Sequence, residues 1–428
     1  MMEELQNTYS PTTDIDTIRL KFLADINPKK SEINNLSRDM EISFVSLDDF
    51  GTKGEIKNLE NRILDDVYHG YTYFKEGDIA LAKITPSFEN GKGAICSGLK
   101  NQIGFGTTEI HVLRPRSGIS TRFLWYALRT KPFFEEGEAA MRGVAGQQRV
   151  PSEFVENHRI PDWDIDKQEE IADYLTQKTS QIDNLIEKKK QLVEVVNEKR
   201  ASIIELLLKE AEAENEVRLK YLANFLAGYA FPSEQFTSNS EDVRLLRGVN
   251  IGVGEINWDE VAYWPKKEVD EYQQYLLEPD DVVLGMDRPW INDGVRVAQI
   301  SESDCPTLLV QRVLKIRANS EIKQQYVRMA LESERFKQYF EPITTGVSVP
   351  HISQGQVGDF RIPLPPKPSQ EAILSRWNHF RKEQTQLIEA TKRSIELLQE
   401  KRQALITAAV TGQIDITETQ SLETETVS

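Results

Sequence analysis

Between Ile171 and Ile203 the apolar residues Ile171, Leu175, Ile182, Leu185, Leu192, Val196 and Ile203 step by threes, fours and sevens, which keeps a narrow stripe on one side of a helix. A matching stripe returns at Ile373, Trp377, Leu387, Ile395, Leu398 and Leu405, interrupted by Gln384 and Ser394. Glu187, Lys188-Lys189-Lys190, Glu194 and Lys392-Arg393 flank the stripes as the charged borders of a two-helix seam would. The pattern predicts helices over 167–211 and 369–411, each roughly 65 Å long at 1.5 Å per residue. Two stripes in one chain can cover each other as an antiparallel coiled coil; the alternative is that each helix packs only on its own globular half.

The ends of these helices reveal a duplication. Arg159-Ile160-Pro161, Gln168-Glu169 and Glu198-Lys199-Arg200 recur as Arg361-Ile362-Pro363, Gln370-Glu371 and Glu400-Lys401-Arg402 at an offset of 202. Arg19-Leu20-Lys21-Phe22-Leu23-Ala24 is echoed by Arg218-Leu219-Lys220-Tyr221-Leu222-Ala223. In the first copy, Glu41 to Leu47, the turn Gly77-Asp78 into Ile79–Ala82, Gly93 to Cys96 and Glu109 to Leu113 read as strands. Ser120-Thr121 caps a helix through Leu124, Leu128 and Phe133 that Gly137 ends. The second copy follows at an offset of 203, with Pro289 for Pro86, Gly294 for Gly91 and Gly346-Val347 for Gly143-Val144. Asp280 replaces the turn glycine Gly77, and Met286 replaces Lys83. The fold class is α+β, two similar modules separated and joined by the long helices. The predicted layout is a polar arm (1–17), a first module (18–160), a helix (161–212), a second module (213–363), a second helix (364–412) and a disordered acidic tail (413–428).

Polar loops diverge where this frame is kept. Lys83 to Asn90 becomes Met286 to Asp293, and 143–149 becomes 346–352. Duplicated readers tuned to different targets would look like this, and so would drift of surface loops. The first-copy loops carry Lys83, Thr85, Ser87, Asn90, Lys92, Gln147, Gln148 and Arg149; the second carry Arg288, Trp290, Asn292, Arg296, His351, Ser353 and Gln354. Lys, Arg, Asn and Gln are the side chains that present paired donors and acceptors to base edges. Trp290 suits packing or wedging equally, and Arg114, Arg116 and Arg129 suit phosphate contact. Any one of these residues is otherwise an ordinary solvated loop side chain.

A net charge of −16 argues against a nucleic-acid ligand only as an average. Asp39 to Asp78 holds ten acidic and four basic residues, whereas Lys83 to Lys131 holds eight basic and two acidic. Arg288 to Leu331 holds seven basic and four acidic, so each copy has a basic sub-region where the candidate loops lie. Cys96 and Cys305 stand far apart without metal-ligand spacing, and no apolar run reaches membrane-spanning length, which together predict a cytosolic protein without disulfide or zinc. The one double proline, Pro365-Pro366, follows leucine and does not form a methyltransferase motif, and no Gly-rich loop ends in Lys-Ser/Thr. Asp162, Asp164 and Asp166 lead into a helix, where acids favour the positive end of the dipole over a nuclease role.

This order of features, doubled at constant offset over roughly residues 18–412, resembles the specificity subunits of type I restriction-modification systems. The resemblance rests on Gly77-Asp78-Ile79-Ala80-Leu81, both Arg-Ile-Pro runs and both Glu-Lys-Arg runs. It implies a non-catalytic, cofactor-free subunit in which each module is a target-recognition domain reading one half of a split site on double-stranded DNA. It also implies that the helices fix the spacer, that two methyltransferase subunits dock on them, and that motor-nuclease subunits join the full complex. A coiled-coil adaptor whose repeated domains bind proteins is the other reading of the same architecture.

Overall fold

The computed structural model describes residues 15–144, 146–211, 216–291, 294–344 and 350–416. Most of the expected arm and tail lies outside them, as do Asn292, 212–215 and 345–349. The chain forms two compact units, one from residues up to 187 together with those from 394 onward, the other from 188–393.

In the first unit, strands β1 (Thr17–Arg19) to β10 (Arg159–Pro161) build one module. One sheet has the order β2-β9-β6-β7, from Ala24–Ile26, Ile110–Pro115, Ile79–Ala82 and Gly93–Ile95. A second has the order β4-β3-β8-β5, from Glu60–Ile63, Glu41–Val45, Ile103–Gly106 and Thr72–Lys75. Every residue of β6 is buried, as a run without alternation predicts for an interior strand. The second unit repeats the plan in β12-β20-β15-β18, from Ala223–Ala227, Val313–Ala318, Val282–Gly285 and Val297–Gln299, beside a three-stranded sheet. In both modules the second sheet contains one parallel pair, Phe44 beside Phe105 and Leu245 beside Leu308.

The repeated sequence motifs acquire physical reasons. Arg159-Ile160-Pro161 is a strand that pairs with the module's first strand, Ile18 opposite Ile160; Arg361-Ile362-Pro363 does the same with Val217 opposite Ile362. The central isoleucines are buried, and proline, which has no N–H to donate, takes the last position of each strand. Gln168 then accepts from the Ser120 N–H at 2.9 Å and donates to Trp163 O at 2.7 Å. Gln370 accepts from the Lys323 N–H at 2.9 Å and donates to Pro365 O at 2.9 Å. Each buried glutamine thereby fastens the first turn of a long helix to its module. Asp280, where the first copy has Gly77, keeps the same turn: their φ angles are +72° and +83°, and aspartate tolerates that region better than most residues.

A buried carboxylate is also duplicated. Asp78 accepts Arg114 Nε and Nη2 at 2.8 and 2.7 Å and the Lys75 N–H at 2.7 Å. Asp281 accepts Arg317 Nε and Nη2 at 2.7 and 2.8 Å and the Glu278 N–H at 2.9 Å. Arg114 is therefore a structural member of the sheet and does not stand free for phosphate. Arg129 is likewise buried, stacked 4.0 Å over Trp125, with its guanidinium on the carbonyls of Thr52 and Gly91. Arg116 lies at the surface, paired with Asp25 at 2.7 Å.

The helices also differ from the sequence expectation. The helix after Ser120 is two helices, Thr121–Ala127 and Lys131–Ala140, and Gly137 lies inside the second. Glycine is needed there for closeness, since a Cβ would sit 2.4 Å from Phe88 Cζ. The long helices, α1 (Ile165–Glu210) and α2 (Lys367–Val410), exist, but their buried lines are not the ones drawn from apolar residues alone. Leu185, Leu192 and Leu387 are exposed, while Thr179, Ile186, Gln384 and Thr391 are buried. In the first unit Asp183 on α1 meets Arg402 on α2 at 3.1 Å, and Trp163 Nε1 just before α1 donates to Val410 O at 3.0 Å. In the second unit Gln384 Nε2 donates to Val196 O at 2.9 Å, and Arg376 pairs with Glu210. Numbers rise on one helix as they fall on the other, so each unit contains an antiparallel helix pair. Ile416 is packed into the first unit's core, so ordered chain runs past the expected helix end.

Removing the buried Asp78 carboxylate leaves Arg114 with Glu32 alone and strands the Lys75 N–H. Asp78→Ala is expected to cost about 3 to 5 kcal/mol, whereas Arg116→Ala, at an exposed pair, should cost no more than about 1 kcal/mol. Chemical denaturation of the full chain checks the contrast.

Candidate nucleic-acid interface

In the first module β6 leaves its sheet at Lys83 and is caught between two other segments. The Lys83 N–H donates to Glu109 O at 2.9 Å, and Lys83 O accepts from the Val150 N–H at 2.8 Å. The Thr85 N–H donates to Gln148 O at 2.9 Å, placing Ile84 opposite Arg149. Arg142 and Arg149 exchange backbone hydrogen bonds, so the chain at 148–150 lies between 142 and 83–85. Two loops some sixty residues apart in sequence thus form one seam. Beyond it, buried Phe88 anchors a tight turn that leaves Asn90 exposed. Gly91, at φ +68°, lets Arg129 approach the turn.

Lys83, Thr85, Gln148 and Arg149 come together at this seam, with Gln147 exposed at its edge. Arg149 Nε and Nη2 donate to the two carboxylate oxygens of Glu109 at 2.7 and 2.9 Å, and Nη1 donates to Gln147 O at 3.1 Å. That pairing holds the Glu109 carboxyl below its usual range. Burial lowers the Lys83 ammonium, opposed by Glu109. Thr85 donates to Glu89, Lys92 pairs with Asp48 at 2.9 Å, and Ser87 is buried. The last two lie away from the seam's hydrogen-bonded strands.

The second module builds the same seam. The Met286 N–H donates to Arg312 O at 2.9 Å, the Ile352 N–H to Met286 O at 2.9 Å, and the Arg288 N–H to Pro350 O at 2.7 Å, with Asp287 opposite His351. Arg149 therefore corresponds in space to His351, one residue earlier than a constant offset of 203 gives, so the second loop is one residue shorter. Met286 is a core residue. His351 Nδ1 lies 2.6 Å from Asp287 Oδ1, and Arg312 Nη1 lies 3.3 Å from the imidazole nitrogens. Arg288 is exposed.

Other second-module candidates have structural work. Arg296 donates from Nε to Ile251 O at 3.0 Å and from Nη1 to Asp287 O at 3.0 Å, with Nη2 on Gly248 O. Burial lowers its guanidinium, and Arg288 adds to the effect. Ser353 caps the short helix Gln354–Asp359 by accepting from the Gln356 N–H, which leaves Gln354 exposed in its first turn. Trp290 and Ile291 pair antiparallel with Val295 and Gly294, and Trp290 packs on the module core. These two strands line a cleft of about 730 Å³ whose lining also includes Arg200 and Glu332. Glu109, Asp287 and Arg312 join the seam as well; in the sequence only the exchange of acid at 109 for arginine at 312, an otherwise matched position, marks them.

Among the described residues there is no His/Cys/Asp/Glu cluster arranged to hold a metal, and no helix long and apolar enough to cross a membrane. Comparison with known proteins gives the class. A family model described as the type I restriction modification DNA specificity domain matches residues 212–397. The type I restriction enzyme EcoAI specificity subunit of Escherichia coli is 33% identical over an alignment of 449 residues, covering 83% of this chain and 75% of that protein. The EcoEI specificity subunit, also from Escherichia coli, is 43% identical over 146 residues, 34% of this chain and 24% of that one. A solved chain from a study of complex assembly and conformational transition in the type I R-M system aligns with a TM-score of 0.65 at 17% identity, over 95% of this chain and 100% of that one, a likeness of fold. The chain belongs to the family of type I restriction enzyme specificity subunits.

Behind the first seam lies His111, with Nε2 2.9 Å from Val150 O and Nδ1 3.3 Å from Asn27 Nδ2. Asn27 Oδ1 accepts from the Val112 N–H at 3.0 Å, which fixes its amide and makes Nδ1 an acceptor. Burial, reinforced by Lys83, pushes this imidazole down to about 4. The unfolded chain binds the proton first, so stability should fall as pH drops from about 6.5 towards 4, by about 3 kcal/mol in all. His111→Gln should flatten that stretch of the stability profile, read by urea unfolding at a series of pH values.

Proposed function

We propose that this chain is the non-catalytic sequence reader of a type I restriction-modification complex, each module reading one half of an asymmetric bipartite site on double-stranded DNA. The observation that carries this reading is the duplicated seam: the same backbone hydrogen bonds recur in both modules while the side chains on them differ. A constant scaffold with altered polar groups is what two readers of different base sequences require. Lys83, Thr85, Asn90, Gln147, Gln148 and Arg149 are the proposed DNA-facing residues of the first module; Arg288, Asn292, His351 and Gln354 are those of the second. Ser87, Lys92, Trp290, Arg296 and Ser353 serve by shaping their loops.

In this reading the paired helices set the spacer between half-sites and carry the docking surface for two methyltransferase subunits. The methyl donor and the chemistry belong to those subunits, and cleavage to motor-nuclease subunits. Exposed Leu185, Leu192 and Leu387 on the helices are apolar surface suited to such docking. Lengthening both helices by one matched turn should widen the spacer and leave the half-sites as they were.

Replacing residues 18–160 with the corresponding module of another specificity subunit tests the reading directly. Genome-wide mapping of methylated positions should show one half-site exchanged and the other kept; exchange of both, or of neither, would contradict independent readers. Binding of the assembled complex to its site should also weaken steeply with salt, because phosphate contacts release counterions. Absence of duplex binding at low salt would favour protein-binding modules instead.

A further inference from the structure

In each seam a guanidinium stands beside a carboxylate of the seam itself, and the two, Arg149 and Arg312, come from opposite flanks. In the first module Glu109 grips Arg149 through Nε and Nη2, and Gln147 O takes one hydrogen of Nη1. Of the five donors of the fork, one N–H on each terminal nitrogen stays unclaimed. Two free N–H donors on a guanidinium, one on each terminal nitrogen, match the two acceptors O6 and N7 that guanine presents in the major groove. A carboxylate on the inner edge of the fork removes the rotamer freedom that would otherwise oppose such a contact.

In the second module the charges are exchanged. Arg312 occupies the position of Glu109, since its carbonyl accepts the N–H of Met286 as that of Glu109 accepts the N–H of Lys83. His351 occupies the position of Arg149, and Asp287, standing where Ile84 stood, is near both: 2.6 Å from His351 Nδ1 and 3.9 Å from Arg312 Nη1, which itself lies 3.3 Å from the imidazole nitrogens. The Arg312 side chain is 57% exposed. Its backbone has φ +68°, and the neighbouring Arg288 has φ +45°. Arginine seldom adopts that region, and residues held there concentrate at functional sites.

We propose that Arg149 and Arg312 are the guanine-reading residues of the first and second modules, with Glu109 and Asp287 as the residues that position them. This rests on the reading that the seams face base edges, and it adds the base class and three residues, Glu109, Asp287 and Arg312. The exchange of flanks makes the two modules non-equivalent readers although their backbones match.

The test uses the assembled complex and a duplex library carrying every single-base-pair change in the bipartite site found by methylation mapping. Arg149→Lys keeps the charge and the pairing with Glu109 but loses the fork. It should lose roughly tenfold to a hundredfold of discrimination at one guanine-containing pair of the first half-site, with the second half unchanged. Arg312→Lys should do the same in the second half-site only. Glu109→Gln should flatten the same pair as Arg149→Lys while binding to unrelated duplex stays equal or tightens, because a negative charge is gone. A residue that merely supports the fold would weaken specific and non-specific duplex together, and that outcome would remove the positioning role. Wild-type base preference in both lysine variants would overturn the assignment, and a module exchange that still switches one half-site would then leave the broader reading standing. Should Glu109→Gln lower folding, Arg149→Lys decides alone.

Discussion

A helix of 46 residues with apolar positions along one side draws most of its stability from what packs on them. Here each unit covers its own part of α1 with a segment of α2 running the other way and with the core of one module. Ile171, Ala172 and Leu175 enter the first module's core together with Ile406, Ala409 and Val410; Ile204, Leu207 and Leu208 enter the second's with Ile373, Leu374 and Trp377. Helix and module therefore share a single hydrophobic core in each unit. The buried glutamines Gln168 and Gln370 fix the angle at which the helix leaves, since an amide with both ends bonded to backbone has one orientation. Within the second unit's helix pair Gln384 adds a polar member whose hydrogen bond to Val196 O favours one register, the use best attested for a buried polar group in a helix seam.

Much of this was legible in the sequence because duplication prints the scaffold twice. The Arg-Ile-Pro strands, the glutamines, the turn at Gly77 and Asp280 and the long helices all recur at fixed offsets. What was not legible depends on the neighbour across space. Leu185 and Leu192 satisfy a helical stripe as well as Ile186 does, and only the path of the partner segment decides which are covered. Arg114 and Arg129 look like phosphate contacts in a basic run, yet Asp78 and the carbonyls of Thr52 and Gly91 claim them. Gly137 reads as a helix terminator, but its cause is the ring of Phe88. The seam itself was half visible: both loops were singled out, but the one-residue shortening that sets His351 against Arg149, and the exchange at 109 and 312, needed the backbone pairing.

The two modules also answer one packing problem in different ways. Where the first unit places Arg129 over Trp125 and lets Gln403 donate to Arg129 O at 2.7 Å, the second places Glu332 between Arg328 at 2.8 Å and Arg200. Burial opposes the charge on Glu332, and the surrounding arginines outweigh it, holding the carboxyl below its usual range. Such a network is weak as a source of stability, because desolvation offsets most of the attraction, but it tolerates few other arrangements. Each module is thus matched to its own stretch of helix.

The first unit is assembled from both ends of the described chain, whereas the second is one continuous stretch. During synthesis the second can close as soon as residue 393 has emerged, from contacts of shorter sequence separation. The first has to hold Ile171, Ala172 and Leu175 covered on the module side alone until Ile406, Ala409 and Val410 arrive more than 230 residues later. Nascent chains accordingly pass through a stage with one finished half and one exposed apolar surface, the condition in which a ribosome-associated chaperone has most to shield.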